Sequence, residues 1–404
     1  MPVRMSSIIV AVVLVISVSC APELWNSTAT GADSGPPRKG SPANSTGTPA
    51  APPDDFYQLP TPLVSGRPGD VIRHEPGESY ALPYNISAVR ILYHSVNALG
   101  QDVAASGVVL IPQDRVPVGG WRMIAWAHPF LGAAQSCAPS LMRSLYDGTL
   151  LSMYVNMGYA VVAPDYVGLG THSRNAALDG RSNALDLIYA VRAARSALAD
   201  LSAQWIGVGV RDGGLAVLIA SEQESRITDA GYLGSIAVDP TLDLKSNIQS
   251  AYNKGEDLFP FLAYGLKTLY PDFDVNSILL PGSAAHYSQV SSVCSPVVQP
   301  DGNLPSRSPR SGWDNDPAVV SLLKRNMLGS THAPKPILMI TASVPPLTVA
   351  ETQAIARMCK QGDNVEVESY PVDPQNLFGE SVSTQVTWLH ARFSGLVPPT
   401  TCHK

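Results

Sequence analysis

Charge is scarce in this chain: Asp, Glu, Lys and Arg make up 15% of its 404 residues, and the formal net charge is -6. No stripe of Lys and Arg runs through it, so it lacks the surface that displaces counterions from phosphates, and no nucleic-acid partner is expected. Arg192 and Arg195, which share one segment, suit a solvated helix face. The five cysteines include no C-x-x-C pair, which argues against a zinc site, and neither metal nor cofactor is expected. No internal repeat is visible. The one marked apolar run, residues 8–18, is too short to span a bilayer as a mature helix. What remains is an ordinary globular composition, 45% hydrophobic, long enough for one large core.

Arg4 ahead of that apolar run marks residues 1–19 as an export signal. The run ends in Ile16-Ser17-Val18-Ser19-Cys20, which resembles a bacterial lipobox whose cysteine becomes the lipidated first residue. Ser17 stands where an aliphatic residue is usual, so conventional cleavage and secretion is the alternative. Residues 20–54, crowded with Ser, Thr, Gly, Pro and Ala, cannot bury enough apolar surface to fold and suit a tether. The expectation is a lipoprotein of the bacterial cell envelope, held to the outer face of the membrane through Cys20. Beyond Cys20 four cysteines remain, Cys137, Cys294, Cys359 and Cys402, an even number in a compartment that permits disulfides. Two bridges are expected, and three pairings are open.

From residue 88 onward the pattern alternates. Strand-like runs at 88–93, 105–111, 121–127, 159–163, 204–210, 232–238, 335–341 and 365–370 are separated by helix-like stretches at 141–157, 183–199 and 213–223. Such alternation predicts the α/β class, a mainly parallel sheet with helices on both faces, over residues 55–404. Between about 241 and 313 the alternation stops, and helical pieces are broken by Pro260, Pro271 and Pro281. This reads as an inserted helical cap.

The segment Trp205-Ile206-Gly207-Val208-Gly209-Val210-Arg211-Asp212-Gly213-Gly214 has the layout of a nucleophile elbow, a strand turning sharply into a helix around G-x-S-x-G. Gly209 and Gly213 suit the crowded turn, and Gly214 suits close packing of the helix. Arg211 occupies the nucleophile position. The segment resembles that of the secretory lipase family, approximately W-x-x-x-G-H-S-Q-G-G. Further resemblance lies in Asp55-Phe56-Tyr57, Gly69-Asp70-Val71-Ile72-Arg73, Trp126-Ala127-His128, Cys137-Ala138-Pro139-Ser140, and the run from Ala163 to Thr171. The similarity runs from about Asp55 to Cys402. It implies an α/β-hydrolase fold, carboxylic ester hydrolysis, a cap over an acyl-binding pocket, and bridges Cys137 to Cys294 and Cys359 to Cys402.

Acyl transfer on this fold needs a nucleophile, a histidine and an orienting acid. The acid belongs after the strand ending near Thr341, where the chain reads Ser343-Val344-Pro345. The histidine belongs after the strand ending at Tyr370, where it reads Asp373-Pro374-Gln375. The next histidine, His390, falls in the expected terminal helix. Ser283 and Ser381, the nearest stand-ins for the nucleophile, lack the second glycine. The oxyanion donors are altered as well: Asp212 follows the elbow, and Pro129 after His128 has no N–H, which leaves a donor only further along that loop. Losing one triad member costs about 10⁴-fold or more in rate. The expectation is therefore an inactive hydrolase-like lipoprotein, with Arg211, Asp212 and His128 as candidate ligand-binding residues for a fatty acid or other lipid. An ester hydrolase with non-standard residues is the alternative. His128 and Asp165 also suit a scaffold role, and no motif points to a protein partner.

Overall fold

Uninterrupted runs of Val, Ile, Ala and Met build the centre of the molecule, as expected of strands covered on both faces. The computed structural model describes residues 55–402 except 228 and 296–308. The expected signal, the lipidation residue Cys20 and the tether lie outside the described residues. In chain order the elements are β1 (Val71–Pro76), β2 (Ile86–Val96), β3 (Asp102–Pro112), β4 (Trp121–Ala127), α1 (Gly148–Asn156), β5 (Ala160–Pro164), α2 (Gly180–Ala197), β6 (Leu201–Val210), α3 (Asp212–Ile227) and β7 (Tyr232–Val238). There follow α4 (Leu244–Asn253), α5 (Phe259–Leu269), α6 (Pro281–Ala284), α7 (Pro317–Arg325), β8 (Ile337–Ala342), α8 (Val349–Gln361), β9 (Val365–Tyr370) and α9 (Pro374–Phe393).

The nine strands form one sheet in the order β1-β2-β3-β5-β4-β6-β7-β8-β9. Pairing is antiparallel from β1 through β3 to β5 and parallel from β5 to β9. All residues of β5 and β8 are buried, and each face of the sheet carries its own apolar cluster. One face is covered by α2 and α3, the other by α1 and α9. Strand β1 was not evident in the sequence, because its residues are only half-buried and lack a clear alternation. The expected helix over 141–157 begins only at Gly148. Leu145 and Tyr146 take φ values of 53° and 56°, a left-handed backbone that interrupts a helix.

Between β7 and β8 the insertion packs around a cluster in which Ile248, Phe259, Leu262, Leu266 and Trp313 are buried together with Ala176 and Leu178 from the segment ahead of α2. Val319 and Leu322 of α7 join that cluster, so its packing continues beyond residue 313. Arg325 of α7 donates through Nε and Nη2 to the two carboxylate oxygens of Asp179, each at 2.9 Å, and thereby ties the insertion to the start of α2. Cys137 is bonded to Cys294 and Cys359 to Cys402, with Cα separations of 5.4 and 5.3 Å. The second bridge holds the C-terminal tail on the outer edge of β9, where Thr401 N–H donates to Val365 O. No described helix is long and apolar enough to cross a membrane.

Candidate functional site

The parallel strands all end at one edge of the sheet, and β6 meets α3 there through Arg211. This residue has φ 53°, a strained backbone for a non-glycine residue. Its N–H donates to Val238 O at 3.0 Å and its carbonyl accepts from Thr241 and Leu215, so the turn is fastened to β7 and to α3. The glycines around it are required by space. A Cβ on Gly213 would stand 2.0 Å from Ala127 O, and one on Gly209 would stand 2.2 Å from Gly213 O. Backbone atoms cannot yield by that much.

The turn is thus a complete elbow around an arginine. Arg211 keeps 46% of its side chain accessible, and its Nε lies 4.0 Å from Asp239 Oδ2, a loose ion pair. Asp239, just past β7, itself has φ 47°. Burial raises the Asp239 carboxyl pKa, and Arg211 opposes the rise. Two acidic residues, Asp212 next in the chain and Asp239 as ion-pair partner, thus lie near the single guanidinium.

Asp212 turns inward. Its Oδ2 accepts the backbone N–H of Phe130, in the loop after β4, at 3.3 Å. Burial raises its pKa, while the Phe130 N–H, Arg211, the Thr241 hydroxyl and its own backbone N–H favour the charged form. In an acyl-transferring elbow, the N–H groups of the residue after the nucleophile and of the loop after the neighbouring strand converge on the substrate oxyanion. Here a carboxylate of the chain itself accepts from the second of these donors. Phe130 is the donor that Pro129, having no N–H, could not be.

The insertion holds that loop down. Ser295 N–H donates to Leu131 O at 2.8 Å, Gly132 pairs with Cys294 in an isolated bridge, and Cys137 is bonded to Cys294. Phe130 packs edge-on against Phe261 of α5, with ring centroids 5.2 Å apart.

His128 is 2% exposed and lies on the Tyr166 ring with centroids 4.1 Å apart. Burial pushes its pKa down to about 4, so it is neutral at ordinary pH. Its Nδ1 faces Pro129 O at 2.7 Å and its Nε2 faces Asp165 O at 3.3 Å. Both nitrogens are thus directed at backbone carbonyls. Asp165 is fully buried, accepts from Ser106 Oγ at 2.6 Å and from the Ser140 N–H at 2.8 Å, and is raised to about 6 by burial.

The remaining sequence candidates stand apart from the elbow. Ser343, Val344 and Pro345 are exposed in the loop after β8, where Ser343 donates through its N–H and its hydroxyl to Tyr370 O. Asp373 precedes the first turn of α9, Pro374 opens that helix, and Gln375 is exposed on it. His390 is exposed near the end of α9. None of these places an imidazole or a carboxylate against Arg211. Among the described residues, one cavity of about 560 Å³ lies in the insertion beside Lys245, Gln249, Arg310 and Trp313. A void of about 10 Å³, the size of one water, lies beside Trp126, His128, Ser140 and Asp147. Arg211 lines neither.

This architecture has counterparts among solved structures. A rice cell wall degrading esterase, LipA, from Xanthomonas oryzae superposes with a TM-score of 0.64 at 18% identity, over 81% of this chain and 98% of that one. Candida antarctica lipase A gives 0.65 at 18%, over 87% and 89%. A putative hydrolase from Legionella pneumophila gives 0.62 at 16%, over 80% and 98%. The chain has the α/β-hydrolase fold. No family model and no curated protein matches the sequence.

Within that fold, the sequence placed the strand-to-helix turn at Arg211 but missed three of its neighbours. Phe130 contributes only a backbone N–H, which no residue type announces. Asp239 and Thr241 approach the elbow because β7 lies beside β6, a neighbour relation that the sequence order alone does not specify. The string Val238-Asp239-Pro240 at a strand end was the available signal.

Proposed function

We propose that this chain is an exported bacterial envelope protein, a lipoprotein anchored through Cys20, that keeps a lipase-like hydrolase scaffold without ester turnover and serves to bind a lipid. The observation that carries this reading is the Asp212 carboxylate on the Phe130 N–H. A negative charge there opposes the oxyanion that acyl transfer must develop. The triad positions support the same reading, since Arg211 replaces the nucleophile, residues 343–345 include no carboxylate and residues 373–375 include no histidine. The ligand class follows from charge. With Asp212 and Asp239 beside Arg211, a neutral or zwitterionic lipid is better matched than a free fatty acid, whose carboxylate must compete with two already present.

The test is hydrolysis of short-chain and long-chain acyl esters by the mature chain. The expected rate equals that of buffer, and Arg211→Ser does not raise it, because base and acid are still missing. Turnover above buffer that disappears on replacing one named residue favours the alternative, an ester hydrolase with non-standard residues. Titration with a zwitterionic and an anionic lipid of equal chain length tests the ligand class. Preference for the anionic lipid that is lost in Arg211→Ala overturns the charge argument.

A further inference from the structure

We propose that the C-terminal tail is a redox-sensitive strap on the outer edge of β9, latched by the bridge between Cys359 and Cys402. Strand β9 closes one end of the sheet, so no neighbouring strand takes up its outward backbone groups. The tail stands in for one. Thr401 N–H donates to Val365 O at 2.8 Å, the Thr400 hydroxyl donates to the same oxygen at 3.3 Å, and Val367 N–H donates to Thr401 Oγ1 at 2.8 Å. Uncovered, such an edge is open to pairing with another extended backbone, and a covering segment prevents that.

The rest of the tail supports these bonds little. Between the end of α9 at Phe393 and Thr401 every residue is exposed except Pro398, which is half-buried, and Leu396 and Val397 stand 60% and 90% in solvent. Pro398 and Pro399 have no N–H to offer the edge. Hydrogen bonds near the surface exchange readily for bonds to water, so the covalent bridge is the latch. The two bridges of the chain differ in access. Cys137 and Cys294 are buried, at 0% and 6% exposure, whereas Cys359 and Cys402 are half-buried, next to the exposed residues Lys360 and Thr401. A dithiol therefore reaches the second bridge first. One of its thiolates attacks a sulfur of the bridge, its other thiol resolves the mixed disulfide, and the reductant leaves oxidised while Cys359 and Cys402 take up the two protons as thiols. The strap is closed where disulfides persist and open where dithiols keep cysteines reduced.

Dithiothreitol is the probe, titrated into the oxidised mature chain under native conditions, with a maleimide to trap free thiols and backbone amide exchange to follow the edge. Labelling of Cys359 and Cys402 is expected at a reductant concentration at least roughly tenfold below that which labels Cys137 and Cys294. The amides of Val367 and Thr401 then exchange at least roughly tenfold faster, while that of Ile337, bonded to Asn364 O between β8 and β9, keeps its rate. Cys359→Ser with Cys402→Ser shows the fast exchange without reductant. Thr401→Val, with the bridge intact, removes the acceptor of the Val367 N–H and quickens that amide less than loss of the bridge does. Labelling of Cys137 and Cys294 first or together with the other pair overturns the proposal. Unchanged exchange at Val367 and Thr401 after Cys359 and Cys402 are labelled also overturns it, as does an equal rise at Ile337, which would make the bridge a staple of the whole fold. If the double serine variant does not fold, the titration of the wild type decides alone.

Discussion

The C-terminal edge of the sheet divides into two halves that obey different constraints. After β4, β5 and β6 the loops carry His128, Asp165 and the elbow glycines, which are buried or confined by backbone atoms. After β8 and β9 the corresponding positions, Ser343, Val344, Pro345, Asp373 and Gln375, are open to solvent except for a few backbone contacts. The first half is packed around the strand-to-helix turn, and the second is an open surface. The difference shows what holds a site together. A residue needed for packing is fixed by its neighbours whether or not a reaction occurs, whereas a side chain needed only for proton transfer has nothing else to retain it.

That contrast is broken most directly at Gly213. Its Cβ would meet Ala127 O at 2.0 Å and the carbonyl carbon at 2.5 Å, both main-chain atoms of a central strand. Gly213→Ala is expected to cost about 3 kcal/mol or more, enough to prevent folding in a marginal domain. Ser343→Ala, in the other half, is expected to stay within about 0.5 kcal/mol. Denaturant unfolding of both variants decides the matter. Equal and small effects would mean that the elbow is as yielding as the exposed loop.

A second consequence concerns the buried carboxylates of the first half. Asp165 is raised to about 6 and Asp186 to about 7, mainly by burial, from an ordinary 3.8. Asp186 holds the loop after β5 by accepting the Val167 N–H at 2.6 Å. The folded chain thus keeps these protons at a pH where the unfolded chain has released them. Their contribution is fully present below about pH 4 and falls as the pH rises towards 6 and 7. Thermal melting over that interval is expected to show a decline that Asp186→Asn flattens, because an amide does not titrate. A slope left unchanged by Asp186→Asn would mean that burial of this carboxylate carries no titrating cost.

How much of this was legible in the sequence follows from the same division. The strings that resemble secretory lipases lie mostly at buried positions: Phe56 and Tyr57, Trp126 to His128, Cys137 to Ser140, and the run from Ala163 to Thr171. Burial on both faces gives β4 to β8 their continuous apolar runs, so the parallel strands could be read directly, whereas half-exposed β1 could not. The contact of Asp212 was not legible, because a carboxylate after the elbow gains its meaning only from the Phe130 N–H, 82 residues away in the chain. Contacts between neighbouring loops depend on strand order, and strand order is set by the packing of the whole sheet.

The smallest expected effect bears on the elbow itself. Arg211 holds a left-handed backbone at φ 53°, which a glycine adopts without the Cβ penalty. Its guanidinium returns little, being nearly half exposed and 4.0 Å from its partner. Relief of backbone strain is worth about 1 kcal/mol, set against the greater entropy of an unfolded glycine of similar size and a surface ion pair of at most about 1 kcal/mol. Arg211→Gly is therefore expected to change stability by less than about 1 kcal/mol, in contrast to Gly213→Ala two residues on. A larger loss, measured by the same denaturant unfolding, would show that the guanidinium, and not the backbone alone, fastens this turn. The first half of the edge would then depend on side-chain chemistry after all, and the division between packing and chemistry would fail at its central residue.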